Sequence, residues 1–461
     1  TRIQEFKVTG NRAVGTDVLK NILGVKPGTL LVERQVAAGL EALVGFYETQ
    51  GYPFCALYPD LDIQAGADFA RISVRIEEGP FVQIDTVHFE GNQVTRAEVL
   101  LREMRIGFGV PYDQRKVDRG IQRLLGLSFL EAVGEGELRR EGGRIVLVVP
   151  IRESRSARFE GGVGYAPGQG GVGQGITGRF ALDFDNFLGS GRQGQARWIR
   201  RGSAASDLSL QYKEPWMMGF PVFSEFRLNF QQRPGYTENG FGGTVGMDVT
   251  SELEIRLGGV FRGVRPDSSG FRHFFRHRMW GVEGGVRYDT RDDFWNPRSG
   301  SVYRGNVIVG KVFQGQNHRS RRQYDFNMAH FVPVGSRSLV ALDFYASRVT
   351  QTGGVFPEAL LRLGGIQTLR GYREEHFWAS KAAWANLEWR FLLNHRSRAF
   401  LFLDLGFLDD PLGGGSALWP VGYGAGLRMV SRLGRLGLDY GLARGDHPGL
   451  GKVHLQMVNE F

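Results

Sequence analysis

The residue types that could carry out bond chemistry are few and poorly spaced in this sequence. Gly173-x-Gly175-x-x-Gly178 matches a dinucleotide fingerprint, but that fingerprint needs a strand before it and a helix after it, and here a glycine-rich loop leads into a strand-like segment. His273 and His277 have the i, i+4 spacing of a helical metal site, but in a strand their side chains would lie ~13 Å apart. Neither a G-x-S-x-G nor an H-E-x-x-H motif occurs. We therefore predict a protein that is not an enzyme and needs no cofactor or metal.

One arginine and one distant aspartate are candidates for an ion pair. The arginine is in Leu369-Arg370-Gly371-Tyr372, between two segments that alternate apolar and polar residues. Asp404 follows about thirty residues later, within FLDLG. Side chains alternate along a strand, so Asp404 faces inward if the leucines beside it face outward. Arginine suits bidentate contact with a carboxylate. On spacing alone, Arg370 on a solvated loop is an equally good interpretation.

The composition excludes several classes of protein. Of the 461 residues, 67 are Gly, which is about twice the usual share, yet the glycines lack the period of collagen. The 42% hydrophobic and 12% aromatic content exceeds that of a disordered chain. No run approaches the ~18 apolar residues of a transmembrane helix, and the single Cys55 excludes a disulfide framework. The first ten residues lack the pattern of a signal peptide.

The charge is distributed unevenly along the chain. Residues 1–154 contain 19 Lys and Arg against 21 Asp and Glu, whereas residues 155–461 contain 38 against 27. Those 38 include only four lysines, and the arginines are scattered singly among alternating residues. A nucleic-acid-binding domain usually clusters its basic residues, so we predict no nucleic-acid partner.

The first 150 residues contain a repeat with a period of 81. Gly10-Asn11 aligns with Gly91-Asn92, and the apolar positions that follow align as well. In each copy the pattern reads as a strand, two helices and closing strands. Each copy therefore predicts one small α+β module.

From about residue 155 the helical period gives way to segments of 8–12 residues that alternate apolar with polar or Gly residues. This length fits a transmembrane β-strand. In 383–391, for example, Ala, Leu, Trp and Phe oppose Asn, Glu and Arg. We predict a transmembrane β-barrel of about 16 antiparallel strands, with an apolar outer face and a charged lumen. The alternative is a soluble β-sandwich or propeller.

Several motifs in order resemble the BamA/TamA superfamily of outer-membrane assembly barrels that carry POTRA domains. The N-terminal repeats resemble POTRA modules in their Gly-Asn opening and in EEGPFVQI (77–84). The barrel half carries the L-R-G-Y and F-x-D-x-G motifs and a C-terminal Phe461. It also carries these further segments that resemble the family: DFDNFLGSGR (183–192), KEPW (213–216) and YDTRDDFWNPRSG (288–300).

The resemblance implies two POTRA-like domains, 1–78 and 79–154, before a transmembrane β-barrel at 155–461. It implies a location in the outer membrane of a Gram-negative bacterium, with the POTRA-like domains in the periplasm. BamA-type members usually carry five modules and TamA-type members three, whereas this chain shows two. Whether further modules precede residue 1 stays open.

The function implied is that of an insertase, which folds client β-barrel proteins into the outer membrane without ATP. Its partners would be unfolded outer-membrane β-barrel clients and the lipid bilayer, together with periplasmic chaperones and accessory lipoproteins. The alternative is a two-partner-secretion-type polypeptide translocation pore. A passive porin is a third hypothesis, although a porin needs no POTRA modules.

The resemblance also implies roles for the motif residues. Arg370 would anchor its loop in the lumen through Asp404, so that exchanging the two charges would partly rescue the loss of either. Gly371 would allow a tight turn, and Tyr372 would pack on Phe402. Phe402, Asp404 and Gly406 would all point inward.

The resemblance further implies a barrel seam between a first strand at about 157–166 and a last strand at about 451–461. The first strand contains Gly161, Gly162 and Gly164, and the last includes Met457 and Phe461. Glycine lacks the side-chain contacts that stabilise strand pairs. We therefore predict that these glycines make the seam the weakest strand pair of the barrel.

Overall fold

The computed structural model divides the chain into two compact units. One contains residues Thr1–Ser154 together with Leu188–Ser190, and the other contains the remainder. The structure describes the following residues: 2–24, 27–63, 69–154, 156–166, 175–201, 205–250, 252–270, 273–292, 296–394, 397–409, 416–431 and 434–460.

The first unit contains two α+β modules related by the sequence repeat. The first module has a three-stranded sheet in the order β1-β3-β2, with β1 parallel to β3 and β2 antiparallel to it. Its elements are β1 (Arg2–Thr9), α1 (Thr16–Leu23), α2 (Glu33–Thr49), β2 (Ala56–Ile63) and β3 (Phe69–Glu77).

The second module repeats this plan with one change. Its closing strand pairs in parallel with the opening strand, but the strand equivalent to β2 is broken into two short pieces that pair with different parts of the closing strand. Its elements are β4 (Thr86–Glu90), α3 (Ala97–Met104), α4 (Gln114–Leu125), β5 (Leu130–Val133), β6 (Glu137–Glu141) and β7 (Arg144–Glu153).

The repeated Gly-Asn turn is held in the same way in both modules. Gly10 and Gly91 have positive φ angles of 89° and 103°, and a Cβ at either would collide with a carbonyl oxygen of the closing strand. Two amides of the first turn donate to Glu78, and three consecutive amides of the second turn donate to Glu153 at 2.6–3.0 Å. The carboxylate at the end of each closing strand thus holds the turn that follows each opening strand.

Each module has its own buried core, so we expect residues 1–154 to fold without the barrel. The first core includes Leu19, Leu43 and Tyr47, and the second includes Leu100 and Leu147, all with 0% exposure. A purified 1–154 segment should show mixed α/β circular dichroism and a cooperative thermal transition. A segment that stays unfolded in buffer would contradict this prediction.

The Glu153 carboxylate should make this unit sensitive to acid. Burial alone would raise the pKa of Glu153, but hydrogen bonds from Thr95, Val94 and Gln93 outweigh it and hold the pKa below its usual value. A lowered folded-state pKa stabilises the fold above the unfolded pKa of ~4.3, and that stabilisation is lost as the pH falls through the folded value. We expect Glu153→Gln to lower the free energy of unfolding by ~1–3 kcal/mol at pH 7 and to flatten its acid dependence.

Urea unfolding of residues 1–154 from pH 7 to pH 3 measures this effect. The control is Glu141→Gln, because Glu141 is exposed at the end of β6. Equal urea midpoints for Glu153→Gln and the unsubstituted segment at pH 7 would rule out the proposed role of this carboxylate.

The second unit is a closed antiparallel β-barrel of sixteen strands, counted over the described residues, which confirms the predicted fold class. One strand is interrupted, so its two parts have separate labels, and a small hairpin of β19 and β20 lies outside the barrel sheet. The strands are β8 (Ala157–Ala166), β9 (Gly175–Phe184), β10 (Gln193–Arg201), β11 (Ser206–Glu214), β12 (Val222–Arg233), β13 (Tyr236–Asp248), β14 (Leu253–Pro266), β15 (His277–Asp289), β16 (Gly300–Gln314), β17 (Asn317–Pro333), β18 (Ser338–Gln351), β19 (Leu361–Leu363), β20 (Phe377–Ala379), β21 (Lys381–Leu392), β22 (Arg398–Asp409), β23 with β24 (Ala417–Leu418 and Val421–Ser431), β25 (Gly434–Ala443) and β26 (Lys452–Glu460).

The two faces of the barrel strands differ in the way that a lipid environment requires. On β22, Leu401 and Leu405 are 56% and 46% exposed, whereas Phe402 and Asp404 are 4% and 0% exposed. Many outward side chains on the other strands are likewise large and apolar, as expected for a surface that meets lipid. A closed barrel with this exterior excludes the soluble alternative. Within the described residues, no helix has the length and hydropathy to cross a membrane.

Candidate functional site

The loop between β19 and β20, residues 364–376, lies against the lumen side of the barrel wall through Arg370. Its Nε and Nη2 atoms donate to the two carboxylate oxygens of Asp404 at 2.9 and 2.7 Å. The backbone N–H of Arg370 also donates to Asp404, at 2.8 Å. Arg370 is 4% exposed and Asp404 is fully buried. The two motifs suggested by the sequence therefore meet in one bidentate pair, shielded from water.

A second carboxylate, which the sequence analysis did not assign, completes the cluster. Nη1 of Arg370 donates to Glu388 at 2.6 Å, and Arg390 donates to the other oxygen of Glu388 at 2.7 Å. Glu388 is 8% exposed. Glu388 and Arg390 are both on the polar face of 383–391, and this pattern in the sequence indicated that they face the lumen. Their link to Arg370 depends on the register of β21 against β22, where Glu388 lies opposite Phe402.

Glycines on the neighbouring strands make room for the loop. A Cβ on Gly422 of β24 would collide with the carbonyl oxygen of Arg370, and a Cβ on Gly406 would lie 3.1 Å from Leu369. Gly371 itself has a φ of 91°, and its missing side chain would meet the backbone of Leu442. The loop therefore approaches the wall at backbone distance, which few residues other than glycine permit.

The contact predicted between Tyr372 and Phe402 was wrong. The ring of Phe402 is covered by Arg370, whose Cζ lies 3.8 Å from the ring centroid, in a cation–π geometry. The ring of Tyr372 packs against Phe377 at 4.9 Å, and its hydroxyl is 3.2 Å from the backbone oxygen and nitrogen of Val421. The planar guanidinium of Arg370 fits between the ring of Phe402 and the carboxylate of Asp404. Tyr372 instead joins the loop to β24 through Val421.

The other end of the loop is bound to the opposite part of the barrel. Glu375 accepts a hydrogen bond from Arg362 at 2.9 Å and lies 3.4 Å from Arg233 of β12. Beside it, a cavity of about 410 Å³ is lined by side chains of both charges, including Arg227, Glu283 and Arg321. The loop thus spans part of a polar lumen.

Gly422 offers a test of this close approach. We expect Gly422→Val to displace Arg370 from Asp404, because the added atoms would occupy the position of the Arg370 carbonyl. Limited proteolysis should then cut within 364–376, where we expect the unsubstituted chain to be protected. The matched control is Gly259→Ala on β14, where the nearest atom to a new Cβ would be 3.9 Å away. Equal protection of both variants would show that the loop tolerates the change.

The seam is the second candidate site, and its paired segment is short. Among the described residues, strand β26 pairs with β8 through Val458, Asn459 and Glu460, opposite residues 160, 159 and 158. By contrast, β8 pairs with β9 along its whole length, from Ala157 to Ala166.

The predicted reason for a weak seam needs a correction. Gly161, Gly162 and Gly164 pair with β9 and lie beyond the segment that pairs with β26. Met457 pairs with Leu436 of β25 and not with β8, and Phe461 lies outside the described residues. The seam is therefore weak because few residues pair across it, and not because glycine occupies the paired positions.

The remaining sequence candidates do not form a site. His277 is the first residue of β15 and is buried beside Glu358, at 3.4 Å, whereas His273 lies in the preceding turn, so the strand estimate of their separation does not apply. Gly175 begins β9, and Gly173 lies outside the described residues. Among the described residues, no group of three or more His, Cys, Asp or Glu side chains has the arrangement of a metal site.

A closed sixteen-stranded barrel that follows two α+β modules defines an outer-membrane β-barrel protein with POTRA domains. The Omp85 superfamily domain matches residues 186–458, and the POTRA model, described as a surface antigen variable number repeat, matches residues 1–79 and 82–154. The chain belongs to the Omp85 superfamily. The predicted resemblance and location are confirmed: the barrel lies in the outer membrane and the POTRA domains lie in the periplasm.

Three curated relatives have low identity to this chain. A putative outer membrane protein assembly factor of Treponema pallidum is 23% identical over 63% of this chain and 36% of its own length. The outer membrane protein assembly factor BamA of Neisseria meningitidis is 23% identical over 45% of this chain and 26% of its own length. Outer envelope protein 80 of Arabidopsis thaliana is 22% identical over 90% of this chain and 61% of its own length. The chain thus spans between about a quarter and three fifths of the length of these relatives.

Two solved structures share the fold. BamA from Haemophilus ducreyi lacking POTRA domains 1–3 has a TM-score of 0.66 and 18% identity, and the match covers all of both chains. CdiB from Escherichia coli has a TM-score of 0.62 and 15% identity, over all of this chain and 90% of that one.

Proposed function

We propose that this chain folds and inserts client β-barrel proteins into the outer membrane, without bond-making or bond-breaking chemistry. The observation that carries the proposal is the short seam, in which the described residues form three pairs between β26 and β8 of the closed barrel. Family membership and the assembly-factor relatives support it.

The seam would act through the edge it exposes. Within the described residues, positions 161–166 of β8 pair with β9 on one side and with no strand on the other. Unpaired N–H and C=O groups at such an edge can accept a strand from another chain. A client strand would add to β8 there and extend as the three seam pairs separate.

The free energy needed to open the seam is small. A net contribution of ~1 kcal/mol per hydrogen bond and ~0.2–1 kcal/mol per cross-strand side-chain pair gives a few kcal/mol for three pairs. Separating β8 from β9 would disrupt ten pairs, from Ala157 to Ala166. The barrel should therefore open between β8 and β26 before it opens between β8 and β9.

The POTRA sheets offer further edges for unfolded clients. In the first module the sheet order β1-β3-β2 leaves β1 and β2 at the edges. A client segment could add there as an extra strand before it reaches the seam. We propose that chaperones and accessory lipoproteins deliver clients to this end of the chain.

The test is reconstitution of the full chain in phospholipid vesicles. A urea-denatured β-barrel of eight strands is added, and its folding is followed by heat-modifiability on gels and by protease resistance. The proposal expects faster client folding than in empty vesicles. Equal rates in both vesicle preparations would contradict it.

A polypeptide secretion pore is the second candidate, favoured by the fold shared with CdiB, a two-partner-secretion protein, and by the charged lumen cavity. A pore needs the 364–376 loop to leave the lumen, whereas an insertase works with the loop anchored. Client protected inside the vesicle lumen, rather than embedded in the bilayer, would favour the pore.

A further inference from the structure

A row of basic side chains crosses the outer face of the barrel near one rim. These residues alternate with the lumen-facing positions of their strands, and all six are exposed. We call them the outer basic belt: Arg265 of β14, Arg278 of β15, Lys311 of β16, Arg322 of β17, Arg348 of β18 and Lys381 of β21.

The strand register makes this belt continuous. Arg348 lies directly opposite Lys381. On the other neighbouring strands, each belt residue is diagonal to the next, two residues away from the position directly opposite. Lys311, for example, lies opposite Ser320, two residues from Arg322. Diagonal positions are ~7–8 Å apart, within reach of long side chains, and like charges placed directly opposite destabilise a sheet. Six neighbouring strands therefore place positive charges next to one another on the outer face of the barrel.

Where the structure describes the chain, no acidic side chain neutralises the belt. Among the described residues, none of the six forms an ion pair with a carboxylate. Asp409 is close to Lys381, but its oxygens accept hydrogen bonds from the amides of Ser380 and Lys381 and from the Ser380 hydroxyl. Over the described residues, the repulsion within the belt thus has no counter-charge from an acidic side chain.

The belt lies at the exterior rim. Strand β8 begins directly after the periplasmic POTRA domains, so the end of β14, the start of β15 and their equivalents lie at the opposite rim. The other ends of these strands carry no such belt within the described residues: most of their exposed outward side chains are aromatic or apolar, such as Tyr288, Tyr303, Val332, Trp389 and Phe391.

An apolar groove adjoins the belt at Arg348 and Lys381. Its volume is about 590 Å³, and small residues such as Ala346 and Ala383 form its floor between larger ones such as Phe326. Arg348 and Lys381 line the same groove. Two opposed cations and a hydrocarbon-sized groove therefore share one surface.

We propose that this surface binds a phosphate-bearing lipid of the exterior leaflet. The phosphates lie between Arg348, Lys381 and the adjoining belt residues, and an acyl chain lies in the groove. A soluble anion would satisfy the charges and leave the groove unused, whereas a neutral lipid would fill the groove and leave the charges opposed. An anionic lipid satisfies both, because phosphate accepts charge-assisted hydrogen bonds from both residue types.

Native mass spectrometry of the full chain in neutral detergent tests the proposal, with diphosphoryl lipid A and phosphatidylcholine as probes. We expect lipid A to bind at least about tenfold more tightly than phosphatidylcholine, and Arg348→Gln/Lys381→Gln to remove about tenfold of that affinity. The control is Lys20→Gln/Lys116→Gln, which removes two exposed charges from the POTRA domains. Heat-modifiability on gels establishes that each barrel is folded.

Two further arms identify the source of the phosphate and the role of the groove. Ala346→Leu should weaken lipid A binding by filling the groove, with the charges left in place. Inorganic phosphate at millimolar concentration should displace little lipid A. Full displacement by inorganic phosphate, or equal lipid A binding by the unsubstituted chain and the Arg348/Lys381 variant, would overturn the proposal. If the double Gln variant fails to fold, Arg348→Lys with Lys381→Arg should fold and bind like the unsubstituted chain.

Discussion

Arg370→Ala should release the 364–376 loop from the barrel wall and remove most of the assembly activity. The change leaves Asp404, fully buried, without its bidentate partner, and Glu388 with only Arg390. Removing one partner of a buried pair typically costs ~3–5 kcal/mol, because the remaining charge is left uncompensated. We expect a lower temperature of barrel unfolding on gels and proteolytic cleavage within the loop.

The control for this change is Arg373→Ala. Arg373 is in the same loop but exposed, so its loss should be nearly neutral. Arg370→Lys should give an intermediate result, since a single ammonium cannot reproduce the fork that meets both carboxylates. An Arg370→Ala barrel with unchanged heat-modifiability and an intact loop would exclude the anchor.

The structure changes the expectation for a charge exchange. From the sequence, exchanging Arg370 and Asp404 should partly restore the pair. In the structure, Asp404 also accepts the backbone N–H of residue 370, and Glu388 would face the new carboxylate. We now expect no rescue from the exchange.

The two-faced pattern of the strands is what made Asp404 predictable from the sequence. Alternation has a period of two, so each strand reveals which residues share a face without any tertiary information. It cannot reveal which strand positions face each other. Glu388 meets Arg370 only because β21 and β22 pair in the register that places Asn386 opposite Asp404.

Register also explains the other misjudged features. The glycines of β8 drew attention to the seam, but the number of paired residues depends on how far β26 extends along β8, which no local pattern encodes. Similarly, Lys311 and Lys381 are two of only four lysines after residue 154. Their alignment with four arginines follows only from the pairing of six strands.

Locking the seam with a disulfide should abolish client assembly while leaving the barrel intact. Phe159 and Asn459 are directly opposite each other in the seam, and opposed positions have Cβ atoms ~4.5–5.5 Å apart, within reach of a disulfide after small adjustments. The pair Phe159→Cys/Asn459→Cys should therefore crosslink on oxidation.

Cys55 would interfere little with this experiment. Burial, with the nearby Glu78 and Glu48 carboxylates, raises the pKa of its thiol to about 11, so little reactive thiolate is present at neutral pH. Replacing Cys55 by Ser removes the remaining background. The matched control is Phe159→Cys/Leu182→Cys, which joins β8 to β9 through another opposed pair and leaves the seam free to open.

The locked seam and its control separate the two proposed functions. An insertase needs β8 to part from β26, so the 159/459 disulfide should stop folding of the client barrel in vesicles, and a reductant should restore it. The 159/182 disulfide should leave the rate unchanged. A secretion pore passes its substrate through the lumen and needs no seam opening, so it should work with either disulfide. Client insertion at an unchanged rate through a fully locked seam would exclude the strand-exchange mechanism and favour the pore.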